Sequence, residues 1–284
     1  MSGILYICGT PIGNLSDITM RQLETLKMVD IILCEDTRHT IKLLSHFDIQ
    51  KKLLSYHEHN EKFRGEEVIN LLKSGKNIAL VSDAGMPLIS DPGESLVKLC
   101  YENGVGVTAV PGPSASITAL VLSGLSSEKY SFIGFFPKNK KEQAELIERL
   151  KNDTYTTVFY EAPHRLLKTL KILAESFPSR MISTVKEMTK KYETVISCIL
   201  SEIVEYYEEN EPKGEFVVVL EGASKRELDK EKQESFSKIS IEEHMEVFIS
   251  KGLDKKEAMK LVAKERGVSK REIYNYLNRG ENNE

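Results

Sequence analysis

The run Val81-Ser82-Asp83-Ala84-Gly85-Met86-Pro87-Leu88-Ile89-Ser90-Asp91-Pro92-Gly93 sets an acid and several turn formers directly after an apolar stretch. A ligand can meet the backbone there, because Gly85 admits close approach and Pro87 and Pro92 stiffen the chain. Alone, such a run is also what an ordinary strand-to-helix turn looks like. Three further loops of the same kind shift the balance. Gly9-Thr10-Pro11-Ile12-Gly13-Asn14 is a tight turn after the first apolar run. Pro111-Gly112-Pro113-Ser114-Ala115 leads rigidly into a helix start, whose free N–H groups and dipole suit a carboxylate. Phe159-Tyr160-Glu161-Ala162-Pro163-His164-Arg165 ends a later apolar run in titratable side chains. Neither a GxGxxG fingerprint nor a lysine-bearing phosphate loop occurs, which argues against an ATPase or an ordinary dinucleotide dehydrogenase.

The elements that must hold these loops follow from periodicity. Apolar runs at residues 4–10, 29–35, 52–57, 77–83 and 105–110 alternate with amphipathic stretches such as 67–74. That rhythm predicts a mostly parallel sheet with helices on both faces, and ligands in such sheets bind beyond the carboxyl ends of the strands. It restarts with a helix over 114–124 and strands over 130–136, 156–162, 180–185, 192–200 and 215–222. The spans 180–185 and 192–200 lie close enough to pair as a hairpin, so the second sheet is expected to be mixed. The fold class is therefore α/β, with two lobes at residues 1–112 and 113–223 and a ligand cleft between them. A charged linker over 224–239 precedes a trihelical domain at 240–284. There Ser240 with Glu243, Asp254 with Glu257 and Ser269 with Glu272 have capping-box spacing. Ile241, Met245, Phe248, Ala258, Val262 and Ile273, with Leu261 and Leu277, would form its core. Lys255, Lys256, Lys260, Lys264, Arg266, Lys270 and Arg271 would cover its outside, as a solvated face or a nucleic-acid-binding one.

Composition sets outer limits. The 284 residues are 40% hydrophobic and 29% charged, with a net charge of −4 that argues against broad coating of nucleic acid but allows a local basic face. No apolar stretch approaches the roughly 20 residues that span a bilayer, and no secretory leader is legible, so a cytoplasmic setting is expected. Cys8, Cys34, Cys100 and Cys198 stand singly in apolar patterns and read as reduced, buried thiols. His57-Glu58-His59 has no matching cluster elsewhere, so no metal is expected.

The four loops, together with Glu35-Asp36-Thr37-Arg38-His39-Thr40, occur in the order found in one family. From Gly3 to about Ala223 the chain resembles the tetrapyrrole-methylase superfamily of S-adenosylmethionine-dependent methyltransferases. Within it, the chain is most similar to the branch that methylates a ribose 2′-oxygen of a cytidine in the decoding region of small-subunit (16S) ribosomal RNA. Met86 departs from the pattern, which has Thr there, at what reads as a surface-facing position.

The resemblance implies S-adenosylmethionine as cofactor, held largely by backbone groups around Pro11, Ala84, Gly85, Leu88, Ile89, Ser114 and Ala115. Tyr160 would pack on the adenine. Asp83 would accept from the cofactor's ribose or ammonium, or else cap the helix that follows it. A base taking the hydroxyl proton is sought among Glu161, Glu187 and His164, and the sequence does not choose. Arg38, Arg165, Lys186 and Lys190 would contact RNA, with the stretch 137–141 as a further phosphate clamp or a solvated loop. The superfamily commonly pairs, so a homodimer is expected. A tetrapyrrole or protein substrate, and a ribosome-binding scaffold without catalysis, are the competing readings; the RNA-type motifs and intact cofactor loops count against them.

Overall fold

The computed structural model describes residues 2–224, Leu228, Phe236 and residues 239–280. The first sheet holds β1 (Ile4–Cys8), β2 (Ile31–Cys34), β3 (Lys52–Ser55), β4 (Ile78–Leu80) and β5 (Gly106–Val110), in the order β3-β2-β4-β1-β5. Every pairing is parallel. Side chains alternate faces along a strand, so each strand supplies two cores. Leu5, Ile7, Leu33, Ile78 and Leu80 face α3 (Glu61–Lys73) and α4 (Glu94–Glu102). Cys8, Ile32, Cys34, Ala79 and Val81 face α1 (Met20–Met28) and α2 (Thr37–His46). Burial on both sides explains why the inner strands β2 and β4 read as continuous apolar runs.

After α5 (Ala115–Ser123) the second sheet collects β6 (Tyr130–Phe135), β7 (Thr156–Glu161), β8 (Met181–Lys186), β9 (Thr194–Ile199) and β10 (Phe216–Leu220). Its order is β6-β7-β10-β8-β9, parallel at β6–β7 and antiparallel elsewhere. The intervening helices are α6 (Lys140–Asn152), α7 (Pro163–Ser176) and α8 (Leu200–Glu209). One face packs on α5 through Val158, Val185, Val217 and Val219. On the other, Tyr207 of α8 meets Phe216 edge-on and bonds the Thr184 hydroxyl at 2.9 Å.

All ten expected strands are present; nine are one to four residues shorter than periodicity suggests, and the one expected over 180–185 is shifted by one residue to Met181–Lys186. Residues Met1–Ala144 and Tyr155–Glu221 form one compact unit, so both sheets lie in it; Glu145–Thr154 and Gly222–Glu284 form the other. The linker expected over 224–239 lies outside the described residues, apart from Ser224, Leu228, Phe236 and Ile239.

In the second unit, α9 (Ile241–Ile249), α10 (Lys255–Arg266) and α11 (Lys270–Gly280) enclose Met245, Ala258, Val262, Ala263 and Ile273. The Ser240–Glu243 capping box is reciprocal, as is Ser269–Glu272, whereas Asp254 caps through its own carboxylate alone. Arg266 does not join the outer lysines as expected. Its guanidinium donates to the carbonyls of Ile239 and Ser240 at 2.7 Å and to His244 Nδ1 at 3.2 Å. His244 is fully buried and stacks on Phe236 at 4.0 Å, and its Nε2 lies 3.0 Å from Glu265. Burial holds its pKa below the ordinary value, Glu265 opposing and Arg266 assisting, so the ring is neutral with Nε2 protonated.

Candidate active site

Three of the four loops meet at the ends of β1, β4 and β5. Thr10 and Gly85 exchange both backbone hydrogen bonds, at 2.8 and 3.1 Å, tying the first loop to the second. The Gly9 N–H donates to Val110, and the buried Gln22 amide donates to the Gly9 carbonyl at 2.7 Å. Gly9 and Gly112 pass so closely that a Cβ on Gly9 would stand 2.9 Å from the Gly112 Cα. This is the close approach that the sequence's glycines serve.

Beside these loops, within the first unit, a cavity of 430 Å³ opens. That lies within the range of small-molecule sites, roughly 300–1,000 Å³. Ala84, Gly85, Ile89, Ser114, Ala115 and Tyr160, all expected at a cofactor site, line it. Pro11, Asp83 and Leu88 do not. Pro11 is buried within the first loop, and Leu88 packs on the β-sheet core with a left-handed φ of +72°. Asp83 neither faces the cavity nor caps the helix after it. It accepts from the Asp36 N–H at 3.3 Å and pairs with His39 Nδ1 at 3.0 Å, anchoring the start of α2. The start of α4 is held instead by Glu61, which accepts from the Gly93 N–H and the Ser95 hydroxyl.

The cavity has an apolar wall and a polar end. Tyr160 sits between Phe132 and Phe135 in edge-on contacts at 5.0 and 5.5 Å, and its hydroxyl engages Ser116; burial pushes that phenol's pKa up. Ser114 starts α5 without a side-chain cap, leaving first-turn N–H groups for a carboxylate ligand. Met86, expected at the surface, packs on the sheet core and lines the cavity. Asp91, Phe135, Met188 and Glu215 also line it and were not singled out by sequence. Asp91 lay in plain view within the run from Ser82 to Gly93, whereas Glu215 belongs to no motif.

The acids and bases expected to react are already engaged. Glu161 has a fully buried carboxylate that accepts from the Ala162 N–H at 2.8 Å and the Thr169 hydroxyl at 2.6 Å, with Arg165 at 3.4 Å. This closes the first turn of α7, a frame role rather than the proton-accepting role expected. Glu187 holds a left-handed φ of +49° and accepts from the Glu215 N–H at 2.9 Å and Lys190 at 3.2 Å. Burial pushes its pKa up, but the Glu215 N–H and Lys190 outweigh this and hold it below the ordinary range, which makes a weak base. His164 is exposed and does not line the cavity.

The cations divide likewise. Arg165 donates to the carbonyls of Phe136 and Pro137 at 2.9 and 3.0 Å. Lys190 bridges Glu187 and Glu215, the latter at 2.7 Å. Arg38 is 84% exposed and lies against Asp36 at 2.7 Å, while Lys186 ends β8 half-buried. In the stretch 137–141, Lys140 and Lys141 form the first turn of α6, with Asn139 accepting from the Lys141 N–H. Cys8, Cys34 and Cys100 are buried free thiols, and Cys198 is only half-buried. Burial drives the Cys8 and Cys100 pKa values to about 12 and 11, so neither is a nucleophile. Among the described residues, no group of three or more His, Cys, Asp or Glu could hold a metal ion.

With the geometry in place, comparison with known proteins is informative. Residues 4–204 match the family described as Tetrapyrrole (Corrin/Porphyrin) Methylases. The chain is 48% identical over 272 residues to ribosomal RNA small subunit methyltransferase I of Bacillus subtilis (strain 168), covering 96% of this chain and 93% of that protein. It is 41% identical over 279 residues to the protein of the same name from Escherichia coli O157:H7, covering 96% and 94%. Among solved structures, that of diphthine synthase superposes with a TM-score of 0.61 at 16% identity, over 78% of this chain and 90% of that one, a likeness of fold alone.

Proposed function

The chain belongs to the tetrapyrrole (corrin/porphyrin) methylase family, and from that membership we propose that it methylates small-subunit (16S) ribosomal RNA, on the ribose 2′-oxygen of a cytidine, with S-adenosylmethionine as donor. The observation that carries this most is near-full-length identity of 41–48% to relatives named for small-subunit ribosomal RNA. A tetrapyrrole substrate has behind it the description of the broad family and a likeness of fold at 18% identity.

The cavity fits the donor. The uncapped start of α5 at Ser114 and Ala115 suits its carboxylate, and the Phe135–Tyr160 wall its adenine. Bound there, S-adenosylmethionine supplies an electrophilic methyl group. The protein's part is alignment of the attacking oxygen with the methyl–sulfur axis, worth up to about 7–11 kcal/mol in well-oriented reactions. Exposed Arg38, half-buried Lys186 and the outward lysines 255, 256, 260, 264 and 270 with Arg271 supply phosphate contacts. Arg165 and Lys190, expected beside them, are engaged within the fold instead, Arg165 with the buried Glu161 and Lys190 with Glu187 and Glu215. No helix among the described residues is long and apolar enough to cross a membrane; with a ribosomal substrate, a cytoplasmic setting follows. A homodimer is supported by the outer face of α5, where Ile117, Val121 and Leu122 are 43%, 72% and 38% exposed.

Labelled methyl from S-adenosylmethionine is expected to enter RNA of small ribosomal subunits purified from cells lacking this protein, and to stay absent from subunits of cells that contain it. Label in protein, or none despite binding of the donor, would move the substrate elsewhere.

A further inference from the structure

The expected bases leave the hydroxyl proton without an acceptor. Three carboxylates line the cavity: Asp91, Glu161 and Glu215. Glu161 is closed in by Ala162, Thr169 and Arg165, and Glu215 is paired with Lys190. Among the described residues no hydrogen bond or ion pair restrains the Asp91 side chain. Resting on the methyltransferase function above, we propose that Asp91 is the catalytic base, accepting the proton of the hydroxyl that attacks the donor's methyl group.

The backbone is shaped to deliver it. Between Gly85 and Gly93, Leu88 and Ser90 hold left-handed φ values of +72° and +68°, a conformation side-chain-bearing residues avoid. Strain of this kind persists where surrounding structure imposes it and gathers at working sites. Pro92 follows Asp91 directly and limits the freedom of the loop further.

The electrostatics suit the role. Half-burial, and then the negative charges of Glu35 after β2 and Asp83 after β4, raise the Asp91 pKa to about 6. The other groups facing this side are Tyr160 of β7, whose phenol feels the Asp91 charge, and His39 of α2, which holds Asp83. A base is most effective with its pKa near the working pH, and Asp91 stands closer to neutrality than an ordinary carboxylate. In the step itself, the hydroxyl oxygen forms a bond to the methyl carbon as the carbon–sulfur bond breaks. The bonding pair goes to sulfur, cancelling the sulfonium charge, and the hydroxyl proton passes to a carboxylate oxygen of Asp91 and on to water.

The test is Asp91→Asn. Its affinity for S-adenosylhomocysteine, read by calorimetry, is expected to stay within about threefold of the native value, while single-turnover methyl transfer falls by about 10²–10⁴-fold. Because a carboxylate crowded by like charges is removed, the variant should melt no lower than the native protein at pH 7, which separates lost chemistry from lost folding. Native transfer should rise with pH through about 6, and Glu35→Gln should move that limb to lower pH by removing one neighbouring charge. Transfer by Asp91→Asn within about tenfold of native would overturn the assignment. So would loss of nucleoside affinity in proportion to activity, which would make Asp91 a ligand of the donor's cation. Failure of the native protein to methylate RNA would count against the function above. Since Asp91 has its role only in that transfer, such failure would overturn the assignment together with the function, whereas transfer by the native protein that survives in Asp91→Asn overturns the assignment alone.

Discussion

Gly85→Val is expected to abolish binding of S-adenosylmethionine. Gly85 holds a φ of +83°, which a β-branched residue adopts only at high cost. Its N–H and carbonyl are both committed to Thr10, and the Ser82 hydroxyl donates to the same carbonyl at 3.0 Å. Relaxing the backbone to suit valine therefore unfastens the first loop from the second. A Cβ placed without relaxation would lie 3.4 Å from Ile12 Cγ2 and 3.6 Å from the Pro113 carbonyl, with the branched methyls extending into the cavity lining. Strain of about 1–3 kcal/mol plus lost shape should weaken affinity for S-adenosylhomocysteine by about 100-fold or more. Gly85→Ala should fall between the two. Normal calorimetric affinity in Gly85→Val would place the cofactor elsewhere.

The second large effect falls on folding. Arg165→Met is expected to destabilise the first unit by about 3–5 kcal/mol, because removing one partner strands a buried charge. The Glu161 carboxylate is 0% exposed and loses its one cation among the described residues, the Phe136 carbonyl loses the Arg165 donor, and the Pro137 carbonyl is left with the Gln143 amide. Neutralising both partners, in Glu161→Gln with Arg165→Met, should recover part of the loss, since no ion is then stranded. Urea unfolding of the single and double variants reads this directly. Unchanged stability with weakened RNA binding would return Arg165 to the phosphate contacts suggested by its place in the sequence.

These two sites mark where the sequence speaks and where it falls silent. Strands buried on both faces, such as Ile31–Cys34 and Phe216–Leu220, declare themselves as unbroken apolar runs. Gly9 and Gly112 announce close backbone approach, where a Cβ would clash, and Gly85 a left-handed turn. A charged side chain carries no such mark of its partner. Lys190 and Glu215 stand 25 positions apart, and nothing local shows that they pair across the start of β10. Arg266 reads as one more surface cation until the carbonyls of Ile239 and Ser240 are brought to it. Asp83 was visible as an acid after a strand, but its choice of the α2 start over the α4 start depends on Glu61 having taken the latter. Asp91 carries no mark of its own in the sequence, because burial and the nearness of Glu35, which set its chemistry, are products of folding.

The central claim concerns the atom that receives the methyl group, and alkaline hydrolysis reads it most directly. Strong alkali cleaves RNA because each 2′-hydroxyl attacks its own phosphodiester, and a 2′-O-methyl group removes that nucleophile at one position. RNA labelled by this protein with S-adenosylmethionine, digested to completion in alkali, is expected to retain its label in a single alkali-stable dinucleotide whose first nucleoside is cytidine. Label recovered in mononucleotides would place the methyl group on a base and contradict the account.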